Sequence, residues 1–322
     1  MAESFERVPC LLCGGEDTRV VSRGKGPAQL VRCCRDGLVF LNPRPPAASL
    51  REFHSRFVRA DNLELFDRHR REILRREAEA VKQLVAGGSL LDIGCGTGVF
   101  FDYFPLDSWQ LFGVDTAALG VQQSRKNPGA RVFQGSLAEA QFPSHFFDVV
   151  TALDTLYYTP DPRAELREVR RILKEDGLLG VEIPGLTYTF VRAEDPVCWL
   201  LDGRPSPGLA NSHHLYHFSP ATIRRLLESA GFRLVHMIPE QASLAGGGTR
   251  RLLNGLHFRV AQAVHRGTRG RVSIAGKELY LARKVPALRA GADTPPAPFP
   301  MNTSQNRSKF TLADPKSGRG LR

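Results

Sequence analysis

The segment Asp92-Ile93-Gly94-Cys95-Gly96-Thr97-Gly98 constrains this chain more than any other. A short apolar run, residues 89–93, leads into it, and a helix is expected to follow. The glycines then form a sharp turn that lets backbone approach a ligand closely, beside a helix start whose N–H groups are unpaired. The spacing Gly-x-Gly-x-Gly differs from the Gly-x-Gly-x-x-Gly that cradles a dinucleotide pyrophosphate. Asp92, two residues before the first glycine, would oppose a pyrophosphate and suits a ligand carrying a positive ammonium. Asp115 ends the next strand, where its two oxygens can accept from both hydroxyls of a ribose.

The same alternation continues through the middle of the chain. Strand-like apolar runs fall at residues 111–115, 131–134, 147–153 and 178–183, with helices between them. The clearest helix is 162–173, with Leu166, Val169, Ile172 and Leu173 on one face. Five buried strands joined by helical crossovers predict a parallel sheet covered on both faces. Before them, residues 48–86 carry apolar side chains at three-, four- and seven-residue steps and read as helical. After Pro184 the regularity stops, and a connection as long as 185–218 predicts a lid or binding segment. Ser219 and Pro220 then cap and open a helix over 221–230 that Gly231 stops. Residues 233–238 and 278–283 read as two closing strands. Between them 250–266 is amphipathic, with Leu252, Leu253, Leu256, Val260 and Val264 facing one way.

LLDIGCGTG, FGVD, FDVV, the RILKEDGLL turn, VEIPG and the late HFSPATIRRLLESAGF segment together resemble the class I S-adenosylmethionine-dependent methyltransferases, over roughly residues 88–285. The resemblance implies a Rossmann-like α/β fold. Its sheet would have seven mostly parallel strands, the last antiparallel, with helices on both faces. It implies S-adenosyl-L-methionine as cofactor. By position, Asp92, Gly94, Cys95, Gly96 and Gly98 would hold the methionine part, Asp115 the ribose, and Ser136 and Leu137 would flank the adenine, with Leu153 completing the set. The family often has an acid at that third place, where this chain has Gly135-Ser136. Relatives often carry Leu-Glu-His after the fourth strand; here Leu156-Tyr157-Tyr158 stands instead, so no base carries over. The remaining candidates for a catalytic group are Asp154, which could equally cap the next helix, and His214 and His217, which share a face if their segment is helical.

Four of the six cysteines lie in the first 45 residues, a pattern of metal or thiol chemistry in a cytosolic chain. Cys10-x-x-Cys13, then Cys33, then Gly37-Leu38-Val39-Phe40-Leu41-Asn42-Pro43-Arg44-Pro45 resemble the zinc ribbon found ahead of some class I methyltransferases. Asp36 occupies the place of the fourth cysteine. Three readings stay open: Asp36 completes a structural Zn2+ site with Cys10, Cys13 and Cys33; Cys34 swaps in; or the module packs without metal.

The domain organisation expected is a zinc-ribbon-like module over 1–46, a helical connector over 47–86, the methyltransferase domain over 87–285 and a disordered basic tail over 286–322. The net charge is +11, and from Glu240 onward 15 Lys and Arg stand against 4 Asp and Glu, leaving 29 of each before it. That excess suits a solvated tail, or weak contact of residues 250–266 and the tail with an anionic membrane surface. No apolar run is long enough to span a bilayer and no signal peptide is evident, so a cytoplasmic protein is expected. The function expected is O- or C-methylation of a small-molecule or sugar- or glycan-linked acceptor. Two alternatives are an RNA methyltransferase, disfavoured because no Asn-Pro-Pro-Tyr-like motif follows the fourth strand, and a cofactor-binding but inactive adaptor.

Overall fold

The computed structural model describes residues 5–23, 27–50, 60–194, 214–241 and 248–286. Its main layer is a seven-stranded sheet in the order β10-β11-β8-β7-β4-β5-β6. The strands are β4 Gly88–Ile93, β5 Trp109–Asp115, β6 Ala130–Gln134, β7 Phe147–Leu153, β8 Leu173–Pro184, β10 Phe232–Glu240 and β11 Lys277–Lys284. β4 pairs in parallel with both β5 and β7, while β11 runs antiparallel to its neighbours β8 and β10. This is the mostly parallel sheet with one reversed strand that the sequence resemblance implied. β4 and β7 are almost continuously buried, as is β8 from Gly177 to Ile183, because helices lie over both faces.

The helices are α1 Ala60–Leu84, α2 Ala118–Ser124, α3 Leu137–Ala140, α4 Pro162–Ile172, α5 Leu186–Glu194, α6 Pro220–Ser229 and α7 Gly248–Gly267. Ser219 caps α6 with Pro220 at its first position, as its sequence predicts. The glycine loop opens only a short 3-10 turn, Val99–Tyr103, in place of the helix expected there. Phe112, Phe142, Phe146 and Phe147 meet edge-to-face at 4.9–6.2 Å and fill the core beneath β4 and β5.

The N-terminal cysteine segment forms three strands that its sequence did not reveal: β1 Thr18–Arg23, β2 Gln29–Cys33 and β3 Val39–Leu41. They make an antiparallel sheet whose fourth member is β9, Tyr216–His217, from far along the chain. Polar contacts reinforce this junction. The Arg44 guanidinium donates to the Pro160 carbonyl at 2.9 Å and to the Tyr216 hydroxyl at 3.1 Å, and pairs with Glu6 at 2.9 Å. Arg163 donates to the Leu12 carbonyl at 2.9 Å. With backbone ladder and side chains both crossing it, this junction should unfold with the rest. Arg44→Ala is expected to lower stability by about 1–3 kcal/mol, since it removes three hydrogen bonds at this junction, one of them an ion pair. Urea unfolding should show that shift within a single transition by circular dichroism and tryptophan fluorescence.

Candidate functional site

The main sheet changes direction of winding at β4, whose neighbours lead to β5 on one side and β7 on the other. Ligands in such sheets sit beyond the carboxyl ends of the strands at this switch point. The glycine loop lies there. Gly94, Gly96 and Gly98 adopt φ of 71°, 52° and 79°, a region that side chains other than glycine rarely enter. The three do different work. A Cβ on Gly94 would strike the Thr155 hydroxyl at 2.3 Å, and one on Gly98 would strike Ser124 at 2.9 Å. A Cβ on Gly96 would meet nothing within 4 Å, so this glycine faces open space. A Cβ on Gly120 of α2 would lie 3.1 Å from the Gly96 carbonyl oxygen, so this glycine lets the helix approach the loop closely. The loop is thus anchored at both ends and open in the middle, a cradle that fits the methionine part of S-adenosylmethionine.

Two acids frame the cradle. Asp115 Oδ2 accepts from the Gly96 amide at 2.8 Å and Oδ1 from the Ala117 amide at 2.7 Å, which fixes both oxygens at the loop. Asp92 is 4% exposed, and its Oδ1 accepts from the Thr151 hydroxyl at 2.6 Å. Burial pushes the Asp92 carboxyl up to about 7, against the pull of the Thr151 hydrogen bond and the Arg70 charge.

Ser136 and Leu137, the residues expected at the adenine, lie at the start of α3. Ser136 caps that helix, and Glu139 reaches back so that its Oε2 accepts from both the Ser136 amide and hydroxyl at 2.8 Å. An acid not foreseen from the sequence thus stands beside Ser136, three residues on. The Ser-x-x-Glu capping box was the signal that could have found it.

Asp154, expected as a catalytic candidate, follows β7 with φ 62°. Its Oδ2 is 2.7 Å from the Arg70 guanidinium and 2.7 Å from the Lys277 ammonium, and Tyr157 donates its hydroxyl to Oδ1. The two cations hold this carboxyl far below the usual range despite its burial, so it is a fixed anion and no proton acceptor near neutrality. Arg70 also pairs with the fully buried Glu182, to which Lys277 approaches at 2.9 Å. Beside them Glu77 is fully buried with both oxygens lacking a hydrogen-bond partner, and burial raises its carboxyl well above the ordinary value. The charges of α1 read in the sequence as a solvated helix surface, yet Arg70 and Glu77 are buried, because the fold brings α1 against Glu182 of β8 and Lys277 of β11.

His214 and His217 are not helical as their joint use required: His217 lies in β9. Their rings nevertheless come within 5.6 Å. His214 Nε2 is 3.0 Å from the Tyr158 hydroxyl, and its ring packs 4.5 Å from Tyr157. His217 is buried with Nε2 unpartnered, and burial pushes its imidazole down to about 3, which makes it a weak base. His213 lies outside the described residues.

Residues 66–237 match the methyltransferase domain family. The chain is a member of that family. Among similar proteins, an uncharacterized protein of Mycobacterium tuberculosis (strain ATCC 25618 / H37Rv) is 29% identical over 167 residues, covering 51% of this chain and 54% of its own length. The ubiquinone biosynthesis O-methyltransferase of Rhodopseudomonas palustris is 24% identical over 189 residues, covering 55% of this chain and 71% of its own. The chain thus spans about half the length of the first of these relatives. A chain from the complex between the Haloferax volcanii Trm112 methyltransferase activator and the putative methyltransferase superposes with a TM-score of 0.50 at 20% identity, covering 72% of this chain and 96% of that one. The methyltransferase fold is the class I fold, and the family's cofactor is S-adenosylmethionine.

The chain also brings together, beside its N-terminal sheet, four side chains able to hold a metal ion. One donor atom each from Cys10, Cys13, Cys33 and Asp36 lie within 4.8 Å of one another. Cys13 Sγ is 3.6 Å from Cys33 Sγ, and Cys10 Sγ is 3.4 Å from Asp36 Oδ1. Thiolates on a tetrahedral zinc with Zn–S near 2.3 Å lie about 3.8 Å apart, so these spacings fit one. Cys34 is exposed, its amide held by the Asp17 carbonyl at 3.0 Å, and stands outside the cluster. The geometry favours the reading in which Asp36 is the fourth ligand. Zinc by mass spectrometry of the purified protein is then expected near one equivalent, retained in Cys34→Ser and Asp36→Cys and largely lost in Asp36→Ala.

Proposed function

We propose that this methyltransferase moves the methyl group of S-adenosylmethionine to an oxygen or carbon of a small-molecule or sugar- or glycan-linked acceptor. The observation that carries the reading is the open face of Gly96 between Asp92 and Asp115, at the switch point of the sheet. The likeness to the ubiquinone biosynthesis O-methyltransferase supports oxygen as the acceptor atom. When bound, the cofactor supplies a methyl group on a positive sulfonium whose leaving group is a neutral thioether, so no acid is needed there. The chain's task is to align donor and acceptor.

Within this reading Asp115 orients the ribose, the glycine loop takes the methionine part, and Glu139 with Ser136 and Leu137 borders the adenine. Leu153, buried at the end of β7, and Cys95, buried in the loop, close the floor. Zinc, where bound, is structural, since four protein donors fill its coordination. Of the three catalytic candidates, His214 with Tyr158 is the pair best suited to take a proton from the acceptor. Asp154 is tied up by cations, and His217 is too weak a base.

Calorimetric titration tests the reading. S-adenosylmethionine and S-adenosylhomocysteine are expected to bind with micromolar affinity, NAD not at all, and Asp115→Ala to lose at least about ten-fold, as a lost charge-assisted pair does. Absence of binding to folded protein would remove the proposal. Asp92 adds a pH signature. Its carboxyl is protonated below about 7 in the free protein, and a bound ammonium favours the ionised form. Affinity for S-adenosylmethionine is therefore expected to rise as pH increases from about 5 to 7, with proton release on binding, and to lose that slope in Asp92→Asn. With an acceptor in hand, His214→Ala is expected to cut turnover by about 10²–10⁴ while cofactor affinity stays unchanged.

A further inference from the structure

Helix α7 is amphipathic, and the sense of its amphipathicity is inverted. Leu252, Leu253, Leu256 and Val260 are 76%, 51%, 61% and 46% exposed, although a stripe of this kind ordinarily faces a core. The side of α7 that packs inward is marked instead by Ala261, which is buried, by Phe258 under the Arg76 guanidinium at 5.6 Å, and by His257 against the Tyr188 ring at 5.1 Å. At 100° per residue, Leu252, Ala263, Leu256, Gly267, Val260 and Leu253 form one outward band about 100° wide. Arg259 and Arg266, both exposed, run along one border of that band. The helix sequence, GTRRLLNGLHFRVAQAVHRG, contains no acidic residue.

We propose that the outward face of α7 docks on an anionic lipid surface. Four large apolar side chains in one band are a surface that a monomer in water does not keep without a use. The charge decides among occupants. A second copy would bring arginine against arginine across a two-fold axis, whereas an anionic headgroup layer offers apolar depth under the leucines and negative charge beside Arg259 and Arg266. The excess of 15 basic over 4 acidic residues from Glu240 onward has the same sign. Among the described residues no helix is long and apolar enough to cross a membrane, so the contact is with the interface alone.

The position of α7 gives the contact a use. The helix is inserted between β10 and β11, whose facing ends, Glu240 and Lys277, pair at the same edge of the sheet as Pro184 of β8. That edge carries the glycine loop and Asp154. An acceptor held in the lipid surface is thereby brought to the cofactor side, a consequence that rests on the methyl-transfer reading.

Sedimentation of the full chain with phosphatidylcholine vesicles and with vesicles containing phosphatidylglycerol tests the docking. Binding is expected only with phosphatidylglycerol, weakening with salt. It should fall about ten-fold or more in the triple variant Leu252→Ser, Leu256→Ser, Val260→Ser, and substantially in Arg259→Glu, Arg266→Glu. These residues are exposed, and unchanged S-adenosylhomocysteine binding in the variants would show that the fold is kept. Wild-type binding that the serine variant retains would assign the contact to other basic residues and overturn the proposal. So would absence of vesicle binding, including the case in which sedimentation velocity finds a dimer that the serine variant dissociates. Vesicle binding without any cofactor binding would leave the docking standing and remove the methyl-transfer reading.

Discussion

The strand ends beside the glycine loop depend on one buried cation. Arg70, on a helix that precedes the sheet, reaches past the strand ends to pair with Asp154 beyond β7 and Glu182 within β8, and Lys277 at the start of β11 binds the same two carboxylates. Burying two cations and two anions is expensive, and mutual attraction offsets that expense only while every partner is present. Taking away one member would strand an opposite charge, at a cost of about 3–5 kcal/mol, so the four residues act as one unit. Glu77 extends the cluster, and its burial beside Glu182 raises its carboxyl well above the ordinary value. The consequence is that α1, β7, β8 and β11 are locked in register beside the glycine loop, and that Asp154 has given up proton chemistry for position.

A second constraint ties the N-terminal sheet to the same place. Asp36 follows β2 by three residues and precedes β3 by three, β3 pairs with β9, and β9 carries His217. The Leu215 amide, next to His214, donates to the Tyr157 carbonyl at 3.0 Å. The chain around the two histidines is therefore held between the cysteine-bearing sheet on one side and the tyrosine turn after β7 on the other. A metal that stiffens the Cys10–Asp36 cluster would stiffen the strand that presents His214 to Tyr158, without any bond to the acceptor.

How much of this could be read beforehand follows from the range of the interactions. The strands and the glycine loop were legible because burial on both faces writes continuous apolar runs, and because three glycines at φ above 50° leave a spacing no side chain can imitate. β1 was not legible, since it is short and mostly exposed, and the two residues of β9 exist as a strand only because β3 lies beside them. Glu139 lies beside Ser136 for another reason: the capping box folds a side chain from one turn later back onto the helix start. Arg70 and Lys277 are separated from Asp154 by 84 and 123 residues, and charge patterning along a chain carries no information at that distance.

Helix α7 marks the sharpest limit. Periodicity identifies which residues share a face; it is silent on which face the rest of the protein will cover. For most helices that gap closes itself, because an apolar stripe left in water costs roughly 25 cal/mol for every Å² exposed. Here it does not close: α4 buries Leu166, Val169 and Ile172, while α7 leaves Leu252, Leu256 and Val260 outward. The difference lies in what the opposite face offers. In α4 that face is charged and hydrated, so water competes for it. In α7 it carries Phe258, Ala261 and His257, enough aromatic and small-residue surface to pack on α1 and α5 by itself. A helix able to bury either face has its orientation decided by the better fit, and the face left over is the one available to a partner.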